Sequence, residues 1–483
     1  MSSVRWLKKP VLSEPAHQSS SGTLSVCMIV KNEAALLRRC LESVRSIADE
    51  VVVVDTGSTD TTISVARDCG AIVIESPWRD DFAFSRNVSI EHASSSWILW
   101  LDADDVVPVQ SLQPLAELKK KVADRVFGFI VRNERPGNTG SEFTQARMFP
   151  RHSSLRFERS IHEQIMPSAL RIGMILEQHP VVIEHHGYAD PATLKKKASR
   201  NIEMLLREYP AVAPDPVMAT EIADSCWLIE DLDGAFKWYN TAVTLLEKHN
   251  AMPALLSHAY YGIGNVFNRR EMFGEAIGHF ISAQKLAPWR PDILYSLAVA
   301  FELSDRVQDS IDALVRILPM QPAAGQVGVD FRAAKIKAYL RLIRILIDEQ
   351  HMNDAAPYVS DALEQVGTRP EIQTLAGKYY LKSGALMDAL HAFEKSITLH
   401  QSGNLDAYIG LCCVYRMAGR TDLVQSTIET LAGDFDGTVR FKAAQRSLLG
   451  IALGKQDNEQ LIEGFRILQR DFFGMLPQLS LEV

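Results

Sequence analysis

The stretch WILWLDADDVVP, residues 97–108, joins an apolar run directly to a cluster of acids. Its first five residues are hydrophobic enough for a buried strand, and Asp102, Asp104 and Asp105 follow at once. Like charges gathered at the end of a strand repel one another, and burial strengthens the repulsion. A divalent cation would offset that cost, because carboxylate oxygens are the ligands that Mg²⁺ and Mn²⁺ prefer. The stretch therefore predicts a buried strand that delivers carboxylates to a ligand site.

Strand-like and helix-like segments alternate upstream of this stretch, from Leu24 to about Ser94. The apolar runs suit strands that are buried on both faces; they are LSVCMIV (24–30), EVVVVD (50–55), AIVIES (71–76) and WILWLD (97–102). Helical spacing or capping residues mark the segments between them, which are residues 32–48, 57–70 and 82–93. This alternation predicts an α/β fold built on a mostly parallel, Rossmann-like sheet.

Polar residues stand at the ends of three of the four predicted strands. Asn32 and Glu33 follow the first strand, Asp55 ends the second, and Asp102 ends the fourth. Open parallel sheets bind their ligands at the carboxyl ends of the strands. We therefore expect these side chains to lie along one edge of the sheet.

From about Asp190 onward the strand-like runs give way to helical spacing with a repeat of 34 residues. Small, aromatic and proline residues define it: Gly264, Phe267, Ala276, Phe280, Ala283 and Pro288 are followed 34 residues later by Ala298, Phe301, Ser310, Leu314, Ile317 and Pro322. Related sets begin at Ala223, Ile343 and Gly377. A helix-turn-helix unit of this length resembles the tetratricopeptide repeat.

These patterns together predict four regions. They are a flexible N-terminal arm (1–22), an α/β domain (23–190), a helical linker (191–215) and an all-α domain of tetratricopeptide repeats (216–483).

Bulk composition narrows the choice of partners and location. The 483 residues carry a net charge of −8, which argues against a nucleic-acid partner because such affinity comes largely from basic residues. No run approaches the ~18 apolar residues of a transmembrane helix, and the N-terminus lacks the apolar core of a secretory signal. The six cysteines show neither metal nor disulfide spacing. We expect a cytoplasmic protein without a transmembrane segment.

Four motifs make the resemblance specific. VCMIVKNEAALLRRCLESV (26–44), EVVVVDTGSTDTT (50–62), SRN (85–87) and WLDADD (100–105) resemble the nucleotide-sugar-binding half of family 2 glycosyltransferases with the GT-A fold. With its repeats, the chain is similar to bacterial protein and peptide glycosyltransferases. The resemblance implies inverting, metal-dependent transfer from a UDP-sugar (UDP-glucose or UDP-N-acetylglucosamine) to a Ser, Thr or Cys side chain. The repeats would hold the protein or peptide acceptor, form a homodimer contact, or do both.

The same resemblance implies roles at the donor site. The residues that would line it are Val30, Asn32, Glu33, Asp55, Arg86, Asn87, Asp102 and Ala103. Asp55 would contact the uracil or the ribose, and Asp104 would bind the Mn²⁺ or Mg²⁺ that bridges the diphosphate. Asp105 stays open: it could touch the sugar, support its neighbours, or cap the helix that follows.

A second cluster supplies the remaining candidates. By resemblance, Glu163 in IHEQI (161–165) would be the general base, and His186 in EHHGY (184–188) would be a metal ligand, with His185 as the alternative. Inverting transfer needs such a base on the face opposite the leaving group. Four arginines could bind the diphosphate or the acceptor, or could form a solvated surface: Arg147, Arg151, Arg156 and Arg159.

Two other functions stay open at this level. The acceptor could be a cell-envelope glycan or lipid, or the chain could be an inactive repeat scaffold that only binds a partner.

Overall fold

The computed structural model describes residues 22–133, 142–187, 191–209, 214–249, 252–321, 330–400 and 404–420, with a few more between 422 and 430. The predicted flexible arm lies outside the described residues, apart from Gly22. Across the described ranges, no helix combines the length and the apolar character needed to cross a membrane.

The N-terminal region forms a mixed sheet of eight strands. They are β1 (Leu24–Val30), β2 (Glu50–Asp55), β3 (Ile72–Glu75), β4 (Trp97–Trp100), β5 (Asp105–Val106), β6 (Arg125–Asn133), β7 (Glu142–Pro150) and β8 (Ile175–His185), in the order β3-β2-β1-β4-β7-β6-β8-β5. The first four strands pair in parallel, as do β6 and β8. β7 runs antiparallel to β4 and β6, and β5 runs antiparallel to β8. The predicted α/β class is confirmed. Of the seven strand pairings, four are parallel and three are antiparallel.

Helices pack against the strands of the sheet. They are α1 (Ala34–Val44), α2 (Thr62–Asp68), α3 (Phe82–His92), α4 (Val109–Leu118) and α5 (Met166–Arg171). In α1 the buried residues are Leu37, Cys40, Leu41 and Val44, at the 3–4 residue spacing of one helix face. Asp81 caps α3 by accepting a hydrogen bond from the Phe84 amide.

The rest of the described chain is helical, as the repeat predicts. The helices are α6 (Pro191–Glu208), α7 (Pro216–Leu228), α8 (Leu232–His249), α9 (Pro253–Arg269), α10 (Phe273–Leu286), α11 (Pro291–Leu303), α12 (Val307–Ile317), α13 (Phe331–Asp348), α14 (Met352–Val366), α15 (Pro370–Lys382), α16 (Leu386–Leu399) and α17 (Leu405–Met417).

Small and aromatic repeat residues fit together as predicted. A Cβ on Gly264 would lie 2.6 Å from the Phe280 ring, and a Cβ on Gly377 would lie 2.6 Å from the Phe393 ring. Both rings are fully buried. Only glycine therefore lets the paired helices approach this closely.

The chain divides into two compact units. The first contains the sheet and the helices up to Ile293, with residues 321–331, and the second contains residues 294–320 and the chain from Arg332. The first helices after the sheet thus share a unit with it. The four regions expected from the sequence stay a prediction.

Candidate functional site

The acid-tipped strands β2 and β4 lie on either side of β1, so their ends share one edge of the sheet. Val30 pairs with Asp55 on one side, and Cys27 pairs with Trp100 on the other. Because the three strands are parallel, Asp55 and Asp102 leave the sheet at its carboxyl edge, where ligands of such sheets bind.

Asp55 is buried, and only one of its two carboxylate oxygens has hydrogen-bond partners in the protein. Its Oδ1 accepts hydrogen bonds of 2.9 Å from the amides of Gly57 and Ser58, in a turn that Gly57 permits with its φ of +107°. Its Oδ2 is buried and has no protein partner. Buried carboxylate oxygens are normally hydrogen-bonded, so Oδ2 fits a ligand that offers an N–H or O–H group.

The turn after β1 completes this corner. Asn32 has a φ of +57°, and its Oδ1 accepts a 2.8 Å hydrogen bond from the Thr59 amide, which ties the β1 and β2 loops together. The Val30 carbonyl accepts from the Thr56 amide at 3.0 Å. Glu33 is half-buried, and its burial together with the charge of Asp104 raises the pKa of its carboxyl group.

Four side chains converge beyond β4. Asp102, Asp104, Asp105 and His185 each place one ligand atom so that all lie within 4.8 Å of one another. Asp105 is fully buried, and its oxygens bond to Arg147 Nη1 and to His185 Nδ1 at 2.8 Å each. Asp105 lies in β5 and supports its neighbours, so it is not the cap of the following helix.

Electrostatics favour a cation at this cluster. Burial raises the pKa of the Asp104 carboxyl group; His185 lowers it, but Asp102 and Asp105 raise it further, and the net shift is upward. Burial would also raise the pKa of Asp102, but Arg86 and Arg147 bring it below its usual range. A positive ion beside Asp104 would relieve the repulsion between the carboxylates.

Gly187 leaves room at the same place. A Cβ on this residue would lie 2.3 Å from Asp104 Oδ2 and 2.5 Å from His185 Nε2. The three carboxylates of the cluster suit Mn²⁺ or Mg²⁺, which prefer oxygen ligands. The residues present therefore fit the divalent ion that the resemblance implies.

His185, the last residue of β8, and His186, which follows it, face different surroundings, because successive side chains of an extended chain point to opposite sides. His185, the alternative candidate, joins the acids. The ring of His186 instead lies 3.1 Å from Arg39 Nη2 and 3.6 Å from Glu184 Oε2. Its amide donates to the Asp104 carbonyl at 2.9 Å.

Glu163 is connected to the acid cluster through Arg86. The Arg86 Nε donates to Glu163 Oε1 at 2.5 Å, and Nη2 donates to Asp102 Oδ1 at 2.9 Å. The guanidinium carbons of Arg86 and Arg147 lie 4.1 and 3.8 Å from the centre of the Trp100 ring. Cation–π contacts of this kind hold buried arginines in place. The Arg86 Nη1 is buried without a protein partner.

The remaining predicted residues differ in their surroundings. The Asn87 amide bonds both the N–H and the C=O of Phe157 at 2.9 Å, so it anchors that loop. Arg156 lies 3.5 Å from Glu91, Arg159 pairs with Glu221, and Arg151 is exposed. Ala103 is buried between the acids.

Sequence reasoning missed Trp100 and Gly187 at this site, and it named Arg147 as a possible diphosphate or acceptor contact without its bond to Asp105. Arg147 stands in a strand next to buried apolar residues, and a charged residue in such a run was the available signal.

Comparison with known proteins agrees with this geometry. The family model "Glycosyl transferase family 2" matches residues 25–178. A TPR repeat-containing protein of Synechococcus elongatus is 27% identical, over 65% of this chain and 74% of its own length. The SPbeta prophage-derived glycosyltransferase SunS of Bacillus subtilis is 28% identical, over 39% of this chain and 45% of its own length.

A third relative is the lipopolysaccharide core biosynthesis glycosyltransferase LpsC of Rhizobium meliloti, 26% identical over 47% of this chain and 93% of its own length. The chain thus spans less than half of SunS but nearly all of LpsC. Residues 25–178 are a family 2 glycosyltransferase domain, and the protein that carries them is a glycosyltransferase.

Proposed function

We propose that the protein transfers a sugar, with inversion, from UDP-glucose or UDP-N-acetylglucosamine to a Ser, Thr or Cys side chain of a protein or peptide, with Mn²⁺ or Mg²⁺ bound. One observation carries the proposal. The unpartnered Asp55 Oδ2 and the acids around Asp104 follow neighbouring parallel strands at one edge of the sheet.

Asp55 would bind the nucleoside. Its Oδ1 is already held by two backbone amides, so the carboxylate is fixed before the donor arrives. The free Oδ2 would accept a hydrogen bond from the uracil N–H or a ribose hydroxyl. Asn32 and Glu33 would form the adjoining wall.

Asp104 would hold the divalent ion with Asp102 and His185, and His186 is the second candidate for the imidazole ligand. When bound, the ion would neutralise charge that grows on the leaving diphosphate. Arg86 Nη1, buried and unpartnered, is suited to donate to a diphosphate or sugar oxygen.

Glu163 would take the proton of the acceptor. As that proton leaves, the acceptor oxygen or sulfur forms a bond to the anomeric carbon, and the bond from that carbon to the diphosphate oxygen breaks. Arg86 holds Oε1 of Glu163, so Oε2 is the atom that would receive the proton. A positioned carboxylate of this kind contributes about 10²- to 10⁴-fold to a rate.

The helical region supports a protein or peptide acceptor, because stacked helical repeats offer extended binding surfaces. It could also mediate a homodimer, and we expect the reaction in the cytoplasm. The similarity to LpsC, whose name refers to lipopolysaccharide core biosynthesis, favours a cell-envelope glycan or lipid as the second candidate acceptor.

The test is incubation of the protein with a panel of UDP-sugars, Mn²⁺ and two acceptor pools, cellular protein and extracted lipid. Intact-mass analysis should show sugar added to a polypeptide. Sugar found only in the lipid pool would select the second acceptor. Absence of donor turnover in both pools would contradict the proposal.

A further inference from the structure

The loop that carries Glu163 is held in an unusual backbone conformation. A β-bridge between Glu158 and Gln164 closes it, with two backbone hydrogen bonds of 3.0 Å. Within the loop, Arg159 and His162 have φ angles of +78° and +52°. Residues other than glycine rarely adopt the left-handed backbone conformation, so the surrounding structure must impose this shape.

Helices α6 and α7 supply polar contacts that do so. Arg159 Nη1 donates to Glu221 Oε1 of α7 at 3.2 Å, and both side chains are about one-fifth exposed. Ser160 Oγ donates to Glu208 Oε2 of α6 at 2.7 Å. The Ser160 carbonyl accepts from the Phe82 amide at 2.8 Å, which connects the same residue to α3.

The tip of the loop is inserted among the helices. Ile161 is 3% exposed and belongs to an apolar cluster made mainly of helical-region residues, among them Met204, Leu205, Met218 and Ile222. Burying an isoleucine side chain stabilises the fold, and it also fixes where its neighbours lie. Glu163 follows Ile161 by two residues, so its backbone is anchored in the helical region.

The helix that holds Arg159 is itself fixed by a side-chain network. Asp224, one turn after Glu221 on α7, accepts from Tyr239 Oη at 2.5 Å and lies 3.0 Å from His258 Nε2. These partners belong to α8 and α9. The loop, α7 and the next two helices therefore form one connected set of contacts.

We infer that helices α6 and α7 position the catalytic carboxylate, with Glu221 and Glu208 as positioning residues for Glu163. The inference rests on the proposed function, because it takes Glu163 as the base. Arg86 fixes the carboxylate on the sheet side, and Glu221 and Glu208 fix its loop on the helical side. A shift of about 1 Å in such a group is enough to slow a reaction about 10²-fold.

Glu221→Gln is the direct test, because it keeps the shape of the side chain and removes its charge. We expect kcat for sugar transfer to fall about 10-fold or more, by the same positioning effect. UDP affinity, measured by calorimetry, should stay unchanged because Asp55 lies on the sheet. Glu221→Asp should restore part of kcat.

Glu247→Gln is the matched control. Glu247 of α8 accepts a hydrogen bond from Tyr260 of α9, and within the described part of the chain it has no hydrogen bond or ion pair with the loop, so its replacement should leave kcat unchanged. If Glu221→Gln lowers thermal stability too far for assay, Ser160→Ala removes the contact to Glu208 without changing any charge, and it should also lower kcat. Wild-type kcat in both Glu221→Gln and Ser160→Ala, or in the one of them that can be assayed, would overturn the inference.

Glu163→Gln separates this inference from the proposed function. If that variant retains transfer, Glu163 is not the base, and the part of the proposed function that assigns the acceptor's proton to Glu163 is wrong. If it is inactive while Glu221→Gln and Ser160→Ala transfer normally, only the positioning role fails.

Discussion

Arg86 and Glu163 form a hydrogen-bonded ion pair of 2.5 Å between Nε and Oε1, with side chains only 7% and 11% exposed. The same guanidinium bonds Asp102 at 2.9 Å. Helix α3 therefore connects the proposed base to the acids at the edge of the sheet. These two contacts fix the position of the Glu163 carboxylate relative to Asp102.

Replacing Glu163 by glutamine should remove the base and keep the contact with Arg86, because the amide oxygen can still accept from Nε. We expect kcat for transfer to fall about 10²- to 10⁴-fold. UDP affinity should stay the same, as calorimetry would show. Near-normal kcat would mean that another group accepts the proton.

Replacing Asp55 by asparagine should weaken donor binding. The amide oxygen can still accept from Gly57 and Ser58, but an NH₂ group takes the place of the free acceptor. A charged hydrogen bond of this type contributes about 1.5–3 kcal/mol, so UDP should bind at least about 10-fold more weakly.

Asp49→Asn is the matched control for that experiment. Asp49 accepts from the Leu24 amide at 2.8 Å, at the opposite end of β1. The control should leave UDP affinity unchanged, whereas equal loss in both variants would show that Asp55 acts only through folding.

Replacing Gly187 by alanine should block the cation. The backbone of Gly187 lies outside the left-handed region, so alanine is conformationally acceptable, but its Cβ would fall against Asp104 Oδ2 and His185 Nε2. We expect Mn²⁺ affinity, followed by electron paramagnetic resonance, to fall about 10- to 100-fold, the range seen when groups around metal ligands change.

Gly274→Ala controls for the added methyl group, since its Cβ would meet nothing within 4 Å. Unchanged Mn²⁺ affinity in the Gly187 variant would show that the ion does not use this space.

Low pH should lower the stability of the second compact unit, because it protonates Glu302. This carboxylate of α11 accepts from Arg341 and Arg344 of α13 at 2.7 and 2.6 Å. Burial alone would raise the pKa of Glu302, but the two arginines bring it below its ordinary value. A lowered pKa in the folded state stabilises the fold above the unfolded pKa, and that contribution is lost as pH falls through the folded value.

Glu302→Gln should therefore cost about 1–3 kcal/mol of unfolding free energy at pH 7. The difference from the wild type should shrink as the pH falls below about 4.3, the ordinary glutamate pKa. Denaturant titrations at several pH values would measure it, and a difference that stays constant down to pH 3 would contradict this role.

Local pattern predicts much of the fold but less of the site. Residues 24–30 and 50–55 are strands as expected, because continuous apolar runs suit buried parallel strands. Helix α2 begins at Thr62 rather than at residue 57, because Gly57 and Ser58 donate their amides to Asp55 instead. Asp55 and Asp102 share one edge of the sheet simply because β2 and β4 run in the same direction.

Contacts between distant segments were beyond the reach of sequence patterns. Whether His185 or His186 meets the acids depends on the pairing of Asp105 with His185 across β5 and β8. The burial of Ile161 among helices depends on residues more than 40 positions away. Neither fact has a local signature, because long-range packing sets both.

We propose above all that Asp55 and Asp104 serve one nucleotide diphosphate with one divalent ion. Calorimetric titration of UDP into the wild type and Asp104→Ala, each with and without Mn²⁺, tests it most directly. We predict that Mn²⁺ strengthens UDP binding to the wild type about 10-fold or more, and that Asp104→Ala keeps only weak, metal-independent binding. An equal gain from Mn²⁺ in the variant would contradict the claim.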